Sequence, residues 1–233
     1  MNIIRESCLD GAAKAKGTAV IIDVFRAFSC TPLFFHFGAK QVFVEADAER
    51  AISIKKANPD WILAGEVNGV PIEHGDLDNS PVRIMQAGRS LFHNKTVIHR
   101  TSAGVTGVAA AIKNCDRVFA GSFVLADALA AYLKKNNPDT VTLVAMGTNG
   151  KISSPEDETC ADYIAHLLTG NKWEPLTAFT DVIFHNRAQR FLQKEQPYLL
   201  PDDVVFCLQK NLFTCSYEIK ETDSMLQVIE ISS

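Results

Sequence analysis

Residues 96–107 read TVIHRTSAGVTG and change character partway along. Thr96, Val97 and Ile98 form the β-branched apolar run of a buried strand. From Val105 to Ile112 the apolar residues recur at helical spacing. Between the two lie Arg100, Thr101, Ser102 and Gly104. A strand that runs through a glycine-containing turn into a helix is the repeating unit of a parallel α/β sheet. Polar residues at such a tip have two readings: they cap the helix, or they hold an anion at its N-terminus.

The same alternation recurs on both sides of this segment. Strand-like runs occupy 19–24, 41–44, 61–64, 117–120 and 140–145, and helical spacing occupies 46–57, 125–134 and 157–168. Near-continuous apolar strands imply a sheet covered on both faces. Two later strands, 214–219 and 226–231, flank the polar turn 220–224 and predict a hairpin. The expected fold is α/β, a three-layer α/β/α arrangement with a mixed, largely parallel sheet. No repeat, low-complexity tract or linker interrupts the chain, which predicts one α/β domain over 1–233. Segment 28–37 looks helical but contains Pro32, so its helix is expected to begin only shortly before that residue, with Thr31 a candidate N-cap.

Composition narrows the function. Hydrophobic residues make up 47% and charged residues 21%, an ordinary globular balance. A net charge of −4 without a basic cluster speaks against a nucleic-acid surface. Arg5, Glu6, Asp10, Lys14 and Lys16 break any signal-peptide core, and no apolar run reaches the roughly 18 residues of a membrane span. Cys8, Cys30, Cys115, Cys160, Cys207 and Cys215 lack metal-ligand spacing and read as reduced thiols. The expected setting is the cytoplasm and the expected partner a small molecule, with a homodimer left open.

Polar residues gather where strands end. Asp23 and Arg26 follow the first strand-like run, Gly65 and Glu66 the third, Arg100, Thr101, Ser102 and Gly104 the fourth. Gly121 and Ser122 follow the fifth, and residues 147–150 the sixth. Open α/β sheets bind ligands at the carboxyl ends of their strands. Each piece has a plainer role: Asp23 as a helix cap, Glu66 as a turn residue, Arg100 as half of an ion pair, Thr101 or Ser102 as N-caps. His74, His99 and His185 show no metal-ligand spacing and read as surface or core histidines. Ser154-Pro155-Glu156-Asp157 is a helix start on any reading. Taken together, the collection suits phosphate-ester hydrolysis. Asp23 and Glu66 could hold Mg²⁺, and arginine with helix-start amides could neutralise phosphoryl oxygens.

These residues carry a resemblance. VIIDVFRAFSCT (20–31) resembles the first strand and Asp-Val-Leu-Arg-Ala turn of the 2-phosphosulfolactate phosphatase family, Mg²⁺-dependent enzymes that make sulfolactate on the coenzyme M route. ILAGEVNGVPIEHGDLDNSP (62–81) resembles its Gly-Glu-Arg and Asn-Ser-Pro triplets, matching Gly65, Glu66, Asn79, Ser80 and Pro81. HRTSAGVTG (99–107) lies where the family carries Thr-Thr-Asn-Gly-Thr. VFAGSFVLADALA (118–130), PEDETCADYI (155–164) and DDVVFCLQKNLF (202–213) resemble later family segments, so the likeness runs from about residue 18 to about 217.

The resemblance implies a Mg²⁺-dependent phosphoric monoester hydrolase acting on 2-phosphosulfolactate, with metal-activated water as nucleophile. Asp23 and Glu66 would be metal ligands, with Asp157 a third candidate. Arg26, Arg100, Thr101, Ser102 and Gly104 would grip the substrate's anionic groups, and Asn79 and Ser80 would position substrate. Cys160 matches a family position but follows acidic residues and reads as structural. Val67, Ala103 and Val105 depart from the family pattern, and Arg100 adds a guanidinium where Val67 removes one. Arg100 is therefore expected to reach the Glu66 pocket from another strand. Two alternatives stay open: a phosphatase for another phosphorylated hydroxy acid, and a non-catalytic small-anion-binding protein.

Overall fold

The computed structural model describes residues 1–232. The first half of the chain runs β1 (Asn2–Ser7), α1 (Cys8–Lys14), β2 (Gly17–Ile22), α2 (Ala27–His36), β3 (Gln41–Glu45), α3 (Ala48–Ala57), β4 (Ile62–Val67), β5 (Val70–Pro71), α4 (Pro81–Phe92), β6 (Thr96–Arg100) and α5 (Gly104–Ala111). It continues through β7 (Cys115–Gly121), α6 (Ala126–Asn136), β8 (Thr140–Ala145) and α7 (Pro155–Thr169). The end of the chain supplies α8 (Pro175–Phe184), α9 (Asn186–Leu192), α10 (Pro201–Cys207) and the hairpin β9 (Cys215–Thr222) and β10 (Met225–Ser232). The strands form one sheet in the order β1-β8-β2-β7-β9-β10-β3-β6-β4-β5. With helices on the sheet this is the three-layer, mixed and mostly parallel α/β fold that the alternation predicts.

The topology has a feature that strand sense alone would not suggest. β1, β8, β2 and β7 pair parallel, and so do β3, β6 and β4. The hairpin between the two blocks pairs antiparallel to β7, within itself, and to β3, so the blocks run in opposite senses. A flat sheet would send their carboxyl ends to opposite rims. Strands twist by roughly 20–25° per step, about 100–125° across the steps from β2 to β6. The carboxyl ends accordingly converge, and α5, which leaves β6, packs back against β2 and α1 of the other block. Helices α6 and α7 pack together over the first block, and α3 lies on the second.

The core follows the pattern of the sequence. Val20, Ile21 and Ile22 of β2, Phe119 of β7 and Leu143 of β8 are buried in one continuous cluster with Phe28 and Phe34 of α2. A small second cluster of Ala51, Leu63, Ile72 and Ile98 sits beneath α3. Among the described residues no helix is long and apolar enough to cross a membrane. All six cysteines are unpaired, with Cys30, Cys160 and Cys207 buried.

One expectation is corrected. α2 begins at Ala27, so Pro32 lies inside the helix rather than at its start, and Thr31 is not the cap. A proline there cannot donate to the carbonyl four residues back, that of Phe28. The Ser122 hydroxyl, arriving from the end of β7, donates to that same Phe28 carbonyl at 3.0 Å. A side chain from a neighbouring strand thus satisfies the group the proline orphans, and the helix is free to start early. β1 also lay outside the sequence reading. It is a partly exposed strand at the sheet edge, and its charged Arg5 and Glu6 disguise its alternation.

Candidate active site

A cleft of about 310 Å³ opens where the two sets of carboxyl ends meet. Its volume is at the small end of the roughly 300–1,000 Å³ typical of small-molecule sites. Two carboxylates line it. Asp23, just beyond β2, is 4% exposed, and its Oδ2 accepts from the Gly104 amide at 2.9 Å. Asp23 Oδ1 is buried and has no hydrogen-bond partner among the described residues. Glu66, near the end of β4, is 7% exposed. Its Oε1 accepts from the Ser102 amide at 2.6 Å, and its Oε2 from the Ser102 hydroxyl at 3.1 Å and from the Gly69 amide. Gly65, with φ of 152°, lets β4 press against β6 here, since a Cβ would run into the Arg100 carbonyl. Burial pushes the Asp23 carboxyl up to about 6. Arg187 opposes the rise and the Glu66 charge adds to it.

Two of the three arginines that line the cleft, Arg187 and Arg190, come from late in the chain. Arg187 of α9 lines the cleft with its side chain 19% exposed. Its Nε stands 2.7 Å from Glu156 Oε1, Nη1 donates to Thr148 Oγ1 at 2.7 Å, and Nη2 donates to the Phe25 carbonyl at 2.6 Å. Burial alone would lower its pKa, but Glu156, Asp157, Asp23 and Glu66 outweigh that and raise it. Arg26, which precedes α2, pairs with Asp203 at 2.8 Å, donates to the Tyr198 carbonyl and lies over the Phe191 ring. Arg190 lines the rim and pairs with Glu195 at 2.9 Å.

The structure sorts the expected site residues into two layers. Asp23, Arg26, Glu66, Asn79 and Ser102 line the cleft. Arg100 does not; its guanidinium donates to the Glu66 carbonyl, the Ser102 hydroxyl and the Ala46 carbonyl. It reaches Glu66 from behind, through the main chain, so the proposed exchange of one guanidinium for another is not what the geometry shows. Asp157 lies behind the cleft as well: Oδ1 accepts from the Val24 amide at 2.7 Å and Oδ2 from the Gly147 amide at 2.8 Å. It clamps two loops and does not line the cleft that Asp23 and Glu66 share.

Ser80 caps α4 by accepting from the Arg83 amide and donates to Asp203 at 2.6 Å. Thr101 is buried outside the cleft. Gly104 turns its amide to Asp23 instead of to a substrate. The expected N-caps of α5 are therefore replaced by Asp23 and Glu66, carboxylates from two other strands held at the positive end of the helix. Cys160 is buried in the core, and burial, then Asp157, pushes its thiol up.

Thr148 and Asn149 fall in the 147–150 turn that the sequence reading marked as a strand-end cluster, and His185, read as a surface or core histidine, lines the cleft. Arg187, Arg190 and Phe191 of α9 escaped that reading. Their one signal is Arg187 and Arg190 at a three-residue interval, which places both on one face of a short helix. Among the described residues no three His, Cys, Asp or Glu side chains gather as a ready-made metal cage.

A family model described as 2-phosphosulpholactate phosphatase matches residues 5–222. A protein named probable 2-phosphosulfolactate phosphatase from Bacillus subtilis (strain 168) is 32% identical, over 82% of this chain and 82% of its own. Proteins of the same name are 31% identical in Caldicellulosiruptor saccharolyticus (87% of this chain, 88% of its own) and 30% in Clostridium perfringens strain SM101 (94% and 92%). An α/β sheet with carboxylates and arginines converging on one small cleft thus falls in the class of phosphoric monoester hydrolases. Within that class, the chain belongs to the 2-phosphosulpholactate phosphatase family.

Proposed function

We propose that this cleft hydrolyses 2-phosphosulfolactate to sulfolactate and phosphate with Mg²⁺ held by Asp23 and Glu66. The observation that carries the reading is Asp23 Oδ1, a buried oxygen without a partner in a cleft shared with Glu66 and three arginines. An orphaned carboxylate oxygen is costly unless a ligand meets it. Mg²⁺ takes one or two carboxylates, keeps several waters and needs no all-protein cage, so this donor set fits it. Bound there, Mg²⁺ would supply Lewis-acid chemistry to the phosphoryl group.

The protein's own groups do the rest. Ser102 and Gly104 hold the two carboxylates in place through amides that do not have to rearrange on binding. Each terminal nitrogen of Arg187 keeps a second N–H beyond the bonds it makes, free to donate to phosphoryl oxygens. Phe25, Phe191 and Leu199 are buried along the cleft and lower the local polarity, which strengthens each charged contact.

A second substrate has one observation behind it. Val67, where the family triplet carries arginine, packs against the small cluster under α3. An ester with carboxylate in place of sulfonate is the natural rival. Phosphate release measured with both esters, with Mg²⁺ and then with EDTA, decides between them. The sulfonate is expected to be faster, and Asp23→Asn and Glu66→Gln are expected to fall to background. Undiminished turnover in either variant or in EDTA would remove the assignment.

A further inference from the structure

His99 sits on β6 next to Arg100 and is fully buried. Its ring packs edge-on against Phe34, with centroids 5.0 Å apart. Nε2 lies 2.8 Å from Oδ1 of Asn79, which lines the cleft. The other ring nitrogen, Nδ1, is buried and has no hydrogen-bond partner among the described residues. Burial holds the His99 pKa down at about 3, so the ring is neutral and carries a single N–H.

That single proton has two places to sit. On Nδ1 it would be an orphaned donor in the core, and Asn79 would have to turn its N–H₂ toward Nε2. On Nε2 it meets the Asn79 oxygen, and only an acceptor lone pair is left unpaired. Orphaned buried N–H groups are the rarer and costlier case, which selects the second arrangement. The same choice fixes the amide: with Oδ1 taken by the ring, both Asn79 N–H donors are left for the cleft.

We propose that His99 is a positioning residue that locks the Asn79 amide by its oxygen and so directs two N–H donors at an anionic group of the substrate. The proposal rests on the phosphate-ester reading and adds where the second anion goes. Asn79 adjoins Ser80, whose hydroxyl donates to one oxygen of Asp203, and Arg26 pairs with the other oxygen of that carboxylate. Asn79 and Arg26 are thus tethered to one group, whereas Asp23 and Glu66 are tethered to the start of α5. The Asn79 and Arg26 end takes the sulfonate or carboxylate, and an ester carrying a hydrogen-bond donor there is rejected.

The test is steady-state hydrolysis of 2-phosphosulfolactate by the full chain with Mg²⁺. Asn79→Ala and His99→Phe are each expected to raise KM by about tenfold or more, with kcat changed less than about threefold, the size of a lost hydrogen bond to a charged group. The double variant is expected to be no worse than Asn79→Ala alone, because His99 acts only through Asn79. His99→Gln, whose amide can donate to the same oxygen, is expected to recover most of the loss. A long-range ¹H–¹⁵N spectrum of the wild-type protein is expected to show the Nε2–H tautomer, whatever the variants' stability. A normal KM in folded His99→Phe, additive losses in the double variant, or an Nδ1–H tautomer would each overturn the proposal. Failure of the phosphatase reading shows separately, as absence of Mg²⁺-dependent turnover in the wild-type protein, and the spectrum still decides the tautomer.

Discussion

Asp23 and Asp157 both follow a strand of the same parallel block, both are buried, and burial pushes both carboxyls upward. Their surroundings divide them. Asp157 has each oxygen on a backbone amide and ties the Val24 and Gly147 loops together. Asp23 has one oxygen on an amide and the other unmet in the cleft. Arg100 and Arg187 repeat the contrast. The first spends its guanidinium on carbonyls and a hydroxyl behind the site, and the second keeps N–H groups facing into it. The site has a wall that meets substrate and a backing layer that holds the wall, and both are built from the same residue types. What separates them is which side chains line the cleft, since Glu66 and Arg187 make as many protein contacts as Asp157 and Arg100.

The largest expected difference separates the two arginines. Arg187→Ala is expected to lower kcat/KM by about 10²–10³, the usual effect of removing one preorganised charge from a transition state. Arg100→Ala is expected to lower it less than about tenfold and to show mainly as a lower melting temperature, since it frees the Ala46 and Glu66 carbonyls. Kinetics and melting of both variants on one preparation make the measurement. Equal losses of kcat/KM would erase the distinction between wall and backing.

The two aspartates sharpen the comparison through stability, where the variant at Asp23 should be the more stable of the two. The folded-state pKa of Asp23 is raised to about 6 from an unfolded value near 3.8. The folded protein therefore binds this proton more tightly than the unfolded chain. That contribution is fully present below the unfolded pKa and is lost as pH rises through about 6. In metal-free protein at pH 8, Asp23→Asn is expected to be more stable than wild type by about 1–3 kcal/mol, with the gap narrowing as pH falls toward 5. Burial raises the Asp157 carboxyl as well, so Asp157→Asn relieves the same kind of penalty. It also leaves one of two backbone N–H groups without an acceptor and should be less stable than Asp23→Asn by about 1–3 kcal/mol. Denaturant titrations of both variants at the two pH values check the order and its pH dependence.

Much of the fold was legible because it rests on local pattern. The apolar runs of β2, β6, β7 and β8, the N-cap and proline before α7, and the closing hairpin are short-range signals. The site was legible only in outline. Asp23, Arg26, Glu66, Asn79 and Ser102 stand at strand or helix ends and could be named from position. Whether Asp157 or Arg100 faces the cleft depends on which distant amides and carbonyls surround it, and spacing carries no trace of that. Arg187 was missed because it lies on a short helix far along the chain, brought to the cleft by tertiary packing and held by Glu156. The opposed sense of the two parallel blocks was also invisible, since it depends on where the hairpin inserts.

Pro32 offers the smallest test and the cleanest one. Position inside a helix is normally unfavourable for proline by about 3 kcal/mol or more, partly through the lost hydrogen bond and partly through the clash of its ring. Here the Ser122 hydroxyl takes over the acceptor that the proline leaves open, and Ser122 itself is fully buried outside the cleft. If that substitution of partners is why α2 can begin at Ala27, Ser122→Ala should cost about 1–2 kcal/mol, the penalty of one buried carbonyl left without a donor. Turnover per folded molecule should stay unchanged, because Ser122 touches α2 and not the cleft. The loss should also shrink in a Pro32→Ala background, where the helix regains its own N–H for the Phe28 carbonyl and the serine becomes redundant. A full-sized loss in that background would mean that Ser122 stabilises the protein by packing alone, and the early start of α2 would need another cause.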